Sequence, residues 1–352
     1  MDNGADYKYM ALALELAKKG RPSPNPLVGA VVVKDGKIIG KGYHAKAGEP
    51  HAEVNALQGI NARGATLYVN LEPCSHYGKT PPCTELIIKS GVKRVVCAME
   101  DPNPLVCGIE ELRDNKITVD VGVLQKEAHT LNEKFVKYIT TGTPFVTVKC
   151  AVSLDGKICC NSGDSKWITS EESRGYARRL RGEYDAILVG INTVVQDNPG
   201  LRAEKGKDPV RIILDSTLRI PLNAEVLSDS NVIIATTKRY NKKKKDELEG
   251  KALIWVCGTD KVDLRELMKK LGTHKITSVF IEGGSEVNAS AVREKIADKF
   301  VFFVAPKLIT GKKAKTPIGG PGVETMSEAV LLKDLTVKQL HEDILIEAYP
   351  DW

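Results

Sequence analysis

The chain has 352 residues, 42% of them hydrophobic and 27% charged, a balance that excludes a disordered polypeptide and suits two domains better than one core. No apolar run approaches the roughly 20 residues of a membrane helix, and the polar, acid-bearing start "MDNGADYKYM" is not that of a signal peptide, so a cytoplasmic protein is expected. Net charge is only +6 and aromatic residues only 5%, which argues against a nucleic-acid groove, while eight cysteines in an unexported chain point to free thiols or metal ligands.

In chain order, "DYKYMALALELAKKG" carries apolar residues at helical spacing and stops on Gly20. "LVGAVVVKDGKIIGKGYH" reads as a β-hairpin turning at Asp35-Gly36. A helix begins near His51, "ATLYVNL" is a strand, "CTELIIKSG" a helix closed by Gly91, and "KRVVCAM" a further strand. This alternation predicts a sheet covered on both faces. The unit fades after "ITVDVGVL" and a helix ending near Tyr138, and turn residues in "TTGTPFVTVK" place the boundary near Thr143, giving domains 1–142 and 143–352. The second region alternates again, with strands at "FVTVKCAVS", "YDAILVG", "VRIILDS", "NVIIATT", "ALIWVCG", "SVFIEGG" and "KFVFFVAP". "TVKQLHEDILIEAYP" reads as a closing antiparallel pair. The basic run "NKKKKDELEG" near Lys242 reads as a solvated loop or helix start, with a phosphate or nucleic-acid contact as the rival reading.

The chemistry begins at "EPHAEVNALQG". His51, with Cys74 and Cys83 of "NLEPCSHYGKTPPCTEL", offers one imidazole and two thiolates, a donor set that suits Zn²⁺ and leaves a fourth position for water, as in a catalytic site. Residues two apart on a helix point about 200° apart, so Glu53 is poorly placed as a second ligand and well placed as a proton carrier for that water. If Pro73 opens a helix, Cys74 also gains from its N-terminus. Taken singly, the histidine reads as a surface residue and the cysteines as packing; together, in this order, they form the zinc-deaminase signature, in which zinc lowers the pKa of water toward about 7. His76, between the cysteines, is a rival ligand, but its glycine-containing loop suits a substrate contact or solvent better. Cys97, Cys150, Cys159, Cys160 and Cys257 read as packing residues.

The long loop "PCSHYGKTPPC", with "PNPLVGAVVV", "GYHAKAGEPHAE" and "DPNP", closely resembles the bifunctional deaminase–reductases of riboflavin biosynthesis. The resemblance continues in order through "KCAVSLDGKI", "GDSKWITS", "LRGEYDAILVGINTV", "DNPGL", "PVRIILDS" and "IEGGS". It implies an α/β protein with an N-terminal cytidine-deaminase-like three-layer α/β/α domain and a C-terminal dihydrofolate-reductase-like domain. The first would deaminate 2,5-diamino-6-(5-phosphoribosylamino)pyrimidin-4-one; the second would reduce the ribosyl group to ribityl with NADPH. Carried over by position, His51, Cys74 and Cys83 match zinc ligands, Glu53 the proton shuttle, and Asn25 and His44 the residues that hold the pyrimidine. Ala151, Trp167, Thr193, Asp197, Ser216, Gly284 and Ser285 match NADPH contacts. Lys149, Ser165, Arg181, Leu201 and Glu282 match substrate contacts, with Arg181 suited to a phosphate. Relatives read "L-T-x-R" where this chain has "GLRAEKGKDPV", so Arg202 aligns with the expected arginine only across a two-residue deletion. The family also implies a homodimer or tetramer.

From the residues alone the nucleotide is not visible: there is no G-x-G-x-x-G and no Walker loop. "EGGSEVNAS" is compatible with a phosphate at a helix N-terminus, but on its own it reads as a structural turn. Singly, Trp167 reads as a core or rim aromatic, Asp197-Asn198-Pro199 as a turn and Lys149 as an exposed strand residue. The competing functions are a nucleoside or nucleic-acid deaminase with a non-reductase accessory domain, and a closed zinc module in a binding protein; the second gives Glu53 no role.

Overall fold

The computed structural model describes residues 3–78 and 81–352, so Lys79 and Thr80 of the "SHYGKTPP" loop lie outside the described residues. The chain divides into two compact units, Met1–Gly142 and Thr143–Trp352.

The first unit contains α1 (Asn3–Ala17), β1 (Gly29–Lys34), β2 (Lys37–Tyr43), α2 (Ala52–Leu57), β3 (Thr66–Val69), α3 (Cys83–Ser90), β4 (Arg94–Cys97), α4 (Gly108–Asp114), β5 (Thr118–Val121), α5 (Gln125–Leu131) and α6 (Glu133–Thr141). Its sheet has the order β2-β1-β3-β4-β5, antiparallel on the hairpin side and parallel from β3 onward. The expected hairpin turns at Asp35 and Gly36, both at positive φ, as a two-residue loop requires. Gly29 pairs with Tyr43 and Ala30 with Gly42, so Gly29 and Gly42 face opposite sides of the sheet. On Gly29 a Cβ would lie 2.0 Å from Ala13 O of α1; on Gly42 it would lie 2.2 Å from Ala52 O of α2. The two glycines therefore bring one helix hard against each face, which makes the three layers. Gly40, on the same face as Gly42, does the same against Ala56 O, at 2.0 Å. An ion network fixes α1: Arg94 forks onto Asp6 at 2.8 and 2.7 Å, and Tyr68 donates to Asp6 at 2.7 Å.

The second unit contains β6 (Phe145–Ser153), α7 (Glu171–Arg181), β7 (Ala186–Gly190), α8 (Ile191–Asp197), β8 (Val210–Leu214), β9 (Val232–Thr236), α9 (Lys242–Glu247), β10 (Leu253–Val256), α10 (Leu264–Thr273), β11 (Ser278–Ile281), α11 (Ser285–Arg293), β12 (Lys299–Ala305), β13 (Leu332–Leu340) and β14 (Asp343–Pro350). These strands form one sheet in the order β10-β9-β8-β7-β11-β6-β12-β14-β13. The seven strands from β10 to β12 run parallel, and the closing pair is antiparallel, as its sequence predicts. Continuous apolar runs such as "AILVG" and "VIIAT" are buried on both faces, the pattern of a covered parallel sheet. No helix among the described residues is long and apolar enough to cross a membrane.

Three local expectations need correction. Pro73 does not open a helix: α3 begins at Cys83, after Pro82, and Cys74 lies in the preceding loop. The helix expected to end near Tyr138 is two helices, broken at Asn132, whose side chain bonds the Leu27 backbone instead. Cys160 is exposed, unlike Cys97, Cys150, Cys159 and Cys257; it sits in a turn where Cys159 takes the inward position.

Candidate active site

His51 is the residue before the first turn of α2, so the close packing of that helix on Gly40 and Gly42 sets where the imidazole stands. Cys83 is the first residue of α3, and its N–H donates to Cys74 Sγ at 3.4 Å. The loop carrying Cys74 is fixed from behind. Glu72 accepts from Asp101 N at 3.0 Å and Ile109 N at 2.9 Å, and α4 backs so closely on Pro73 that a Cβ on Gly108 would be 1.9 Å from its carbonyl oxygen.

The outcome is a cluster in which His51 Nδ1 lies 3.5 Å from Cys74 Sγ and 3.3 Å from Cys83 Sγ, with all three donor atoms within 4.8 Å of one another. Tetrahedral zinc with ordinary Zn–N and Zn–S bonds would hold a nitrogen and a sulfur about 3.6 Å apart. The residues fit the ion. Hydrogen bonds from the Cys83 thiol, then from His51, outweigh burial and hold the Cys74 thiol well below the ordinary thiol range. Glu53, 3% exposed, stands beside the cluster. Burial first, and the Cys74 charge next, push its carboxyl up to about 7. His76 is exposed and outside the cluster.

Asn25 and His44 are brought to the same place. The His44 ring meets that of His51 edge-on, with centroids 5.1 Å apart. Its Nδ1 lies 3.1 Å from Pro50 O, which can only accept, so Nδ1 carries the proton and Nε2 accepts from Asn25 Nδ2 at 3.1 Å. Burial lowers the His44 pKa and keeps that ring neutral. The loop carrying Asn25 is pinned at Leu27, whose backbone is bonded by both Asn70 and Asn132 at 2.8–3.0 Å. Neither asparagine was legible as functional: Asn132 is 105 residues from its partner, and only the nearness of Asn70 to "EPC" hints at its role.

In the second unit the anticipated residues gather at the carboxyl ends of parallel strands, where open α/β sheets bind ligands. Glu282, just past β11, takes a forked pair from Arg181 (Nε to Oε1 2.6 Å, Nη2 to Oε2 3.0 Å), and Lys149 of β6 stands 3.8 Å away. Burial would raise the Glu282 pKa, but the charges of Arg181 and Lys149 outweigh it and the net shift is downward. Arg181 also donates to Arg202 O at 3.2 Å, beside buried Leu201. The Arg202 side chain turns elsewhere, to Ser228 at 3.0 Å and to Asp208 and Asp229 at 3.9 Å. Gly284 caps α11 with open space above it, and Ser285 begins that helix. Thr193 follows β7 in α8, Ser216 follows β8, and Ala151 lies in β6. Trp167 is a rim aromatic, 62% exposed with the Arg174 guanidinium 4.4 Å from its ring. Asp197 ends α8, 3.8 Å from Lys166, and Ser165 is exposed in the turn before Trp167.

Comparison with known proteins places these two arrangements. Residues 4–99 match the family described as the cytidine and deoxycytidylate deaminase zinc-binding region, and residues 144–346 the RibD C-terminal domain. Riboflavin biosynthesis protein RibD of Aquifex aeolicus is 48% identical over 97% of either chain. The chain belongs to the RibD family. The solved structure of Acinetobacter baumannii RibD, form 1, is 38% identical and superposes over 100% of both chains with a TM-score of 0.89. So does a Thermotoga maritima structure described as a diaminohydroxyphosphoribosylaminopyrimidine deaminase/5-amino-6-(5-phosphoribosylamino)uracil reductase, at 38% identity and a TM-score of 0.86. As a member of that family, the chain is a bifunctional deaminase and reductase of riboflavin biosynthesis that acts on a small molecule, with a cytidine-deaminase-like N-terminal domain, a dihydrofolate-reductase-like C-terminal domain, and Zn²⁺ and NADPH as cofactors. The nucleic-acid deaminase alternative is not favoured.

Proposed function

We propose that residues 1–142 are the deaminase and 143–352 the reductase, acting in that order on one phosphoribosylaminopyrimidine. The observation that carries the first half is the three-donor cluster of His51, Cys74 and Cys83 with a buried carboxyl, Glu53, beside it. Those three residues would hold zinc, which when bound supplies Lewis acidity for activating water. Glu53 takes a proton from the attacking water and gives it to the ring nitrogen next to the amino-bearing carbon, then takes the second proton from the added hydroxyl and gives it to the amino group, which leaves as ammonia. A carboxyl near pH 7 can both accept and donate. Asn25, oriented by neutral His44, holds the pyrimidine.

In the second half, Glu282, Arg181, Lys149, Leu201 and Ser165 would receive the ribosyl phosphate substrate. Ala151, Trp167, Thr193, Asp197, Ser216, Gly284 and Ser285 would line the NADPH site, where the cofactor would supply hydride to C1 of the ring-opened ribosyl group, the carbon that stays bonded to the amino nitrogen. Arg202 is the weakest of the anticipated contacts, because its side chain is committed to Ser228 and two aspartates. A cytoplasmic location accords with eight free thiols. Homodimer or tetramer formation accords with the outermost strand, β13, which leaves Leu332, Leu335 and Val337 exposed.

The test is to supply purified zinc-loaded protein with 2,5-diamino-6-(5-phosphoribosylamino)pyrimidin-4-one and follow ammonia and NADPH together. Ammonia should appear first and NADPH loss should follow it. NADPH loss without ammonia, or neither with zinc present, would overturn the reading.

A further inference from the structure

The reductase half does more than offer a dinucleotide groove: it carries unneutralised cations at one end of it. The proposed cofactor positions step along consecutive strands of the sheet, Ala151 on β6, Gly284 and Ser285 after β11, Thr193 after β7 and Ser216 after β8. Neighbouring strands are about 4.8 Å apart, so the row from β6 to the next strand out, β9, spans about 19 Å. Lys149, Arg181 and Glu282 gather at the β6–β11 end. The reacting ring of a dinucleotide must lie there, beside the substrate, and its adenosine half must therefore lie toward β8 and β9.

At that far end the loop after β8 is rigid. Asp215 accepts from Ile220 N at 2.8 Å, closing the turn. Leu218 is 3% exposed and anchors the turn in the core, and Thr237, just past β9, donates its hydroxyl to Ser216 O at 2.8 Å. The loop projects Arg219 outward, and its Nη2 reaches across to Asn192 Oδ1 at 3.2 Å, the residue before Thr193. Lys238 follows Thr237 on the other side of Ser216 and is exposed. Among the described residues neither Arg219 nor Lys238 has a carboxylate partner, whereas neighbouring Arg239 is paired with Asp260 and Lys244 with Glu247. Two free cations bracketing a hydroxyl-bearing turn (Ser216, Thr217) are a receptor for a phosphate monoester dianion. NADPH carries such a group on its adenosine ribose, and NADH does not.

We propose that Arg219 and Lys238 bind the phosphate on the adenosine ribose of NADPH and so set the preference of the reductase for NADPH over NADH. This rests on the cofactor positions proposed above. The experiment is equilibrium titration of the full, zinc-loaded chain with NADPH and with NADH, by calorimetry, for the unaltered protein and for Arg219→Gln, Lys238→Gln and the double variant. Titration with 2',5'-ADP and with 5'-AMP repeats the comparison on the adenosine half alone. Each single change should weaken NADPH and 2',5'-ADP roughly tenfold or more, the usual cost of a lost charge-assisted hydrogen bond, and added salt should weaken them further in the unaltered chain than in the variants. NADH and 5'-AMP should bind as before, which also shows that the variants fold. Parallel loss of NADPH and NADH would make Arg219 a structural residue and overturn the proposal, as would an unchanged ratio or equal affinity of the unaltered chain for the two. An unaltered chain that binds neither dinucleotide would remove the cofactor positions themselves; one that binds NADPH with a ratio the variants leave unmoved would remove only the roles of Arg219 and Lys238.

Discussion

Gly42→Ala adds one methyl group at a residue with no side chain to offer to catalysis, yet it should disable the deaminase. Gly42 is not among the left-handed glycines, so by backbone entropy alone alanine would stabilise the chain by about 0.4–1 kcal/mol. The new Cβ, however, would lie 2.2 Å from Ala52 O and 2.5 Å from Ala56 N, both main-chain atoms of α2, where ordinary contact begins at 3.4 Å. The helix must retreat by roughly 1 Å, and overpacking of this kind costs about 1–3 kcal/mol, so the clash outweighs the entropy. His51 and Glu53 move with the helix. A displacement of about 1 Å in a catalytic group costs on the order of 100-fold in rate. Ammonia release should fall by about that factor, zinc should dissociate more readily into a chelator, and the first unit should melt a few degrees earlier, at about 2–4 °C per kcal/mol for a unit of this size. Reduction of the deaminated intermediate, assayed on the same sample, should be unaffected. Full ammonia release with an unchanged or higher melting temperature would refute the argument that α2 is seated by the absence of a side chain at Gly42.

Glu53→Ala should cut deamination by about 100-fold or more while zinc content, measured by atomic absorption, stays at that of the parent; undiminished ammonia release would remove the shuttle role. Glu282→Gln should lower NADPH oxidation at least about tenfold by leaving Arg181 and Lys149 without their counter-charge, with ammonia release as the internal control that must not change. Asn132→Ala should weaken deamination through the loop at Leu27, raising KM for the pyrimidine more than it lowers kcat; an unaltered KM would show that Asn70 alone holds the loop. Arg94, opposed by burial, holds the Asp6 carboxyl below its ordinary range. The stability this pair lends is therefore complete above the unfolded pKa of about 3.9 and lost as pH falls below it toward the folded value. The melting temperatures of the parent and Asp6→Asn should differ at pH 6, and the gap should narrow as the pH falls below about 3.9; a constant gap would mean that Asp6 acts by packing rather than charge.

Much of this was open to reading because the two sites write themselves differently into the chain. The zinc ligands sit within 33 residues at spacings that chemistry constrains, and the strands that flank them alternate with helices in the ordinary periods. The reductase site has no such local signature. Glu282, Arg181 and Lys149 are separated by 101 residues or more in the case of the ion pair, and only the sheet order, with β11 inserted between β7 and β6, brings them together. Resemblance located them; periodicity alone would have left Lys149 on an exposed strand. What stayed hidden was the support. Asn70, Asn132 and Glu72 act through backbone groups, which leave no partner residue type to look for. The helix considered at Pro73 failed for a related cause, since both Pro73 and Pro82 precede a cysteine and either could open a helix by local rules; the Glu72 and Gly108 contacts hold the first in a loop, while α3 begins at Cys83 as its sequence predicts.

Each unit has its own apolar core, one gathered on β1 to β5 and the others on the nine-stranded sheet, yet only Gly142, Thr143 and Pro144 stand between α6 and β6. A cell that makes this polypeptide cannot make one catalyst without the other. Fluctuations in transcription or translation change the amount of both and never their ratio, and proteolysis begun in one half removes a site of each kind. The standing pool of the deaminated intermediate is then governed by the kinetic constants of the two centres and by cofactor supply, not by relative gene dosage. At a given cofactor supply, selection adjusts the balance of the two centres through substitutions in the chain itself.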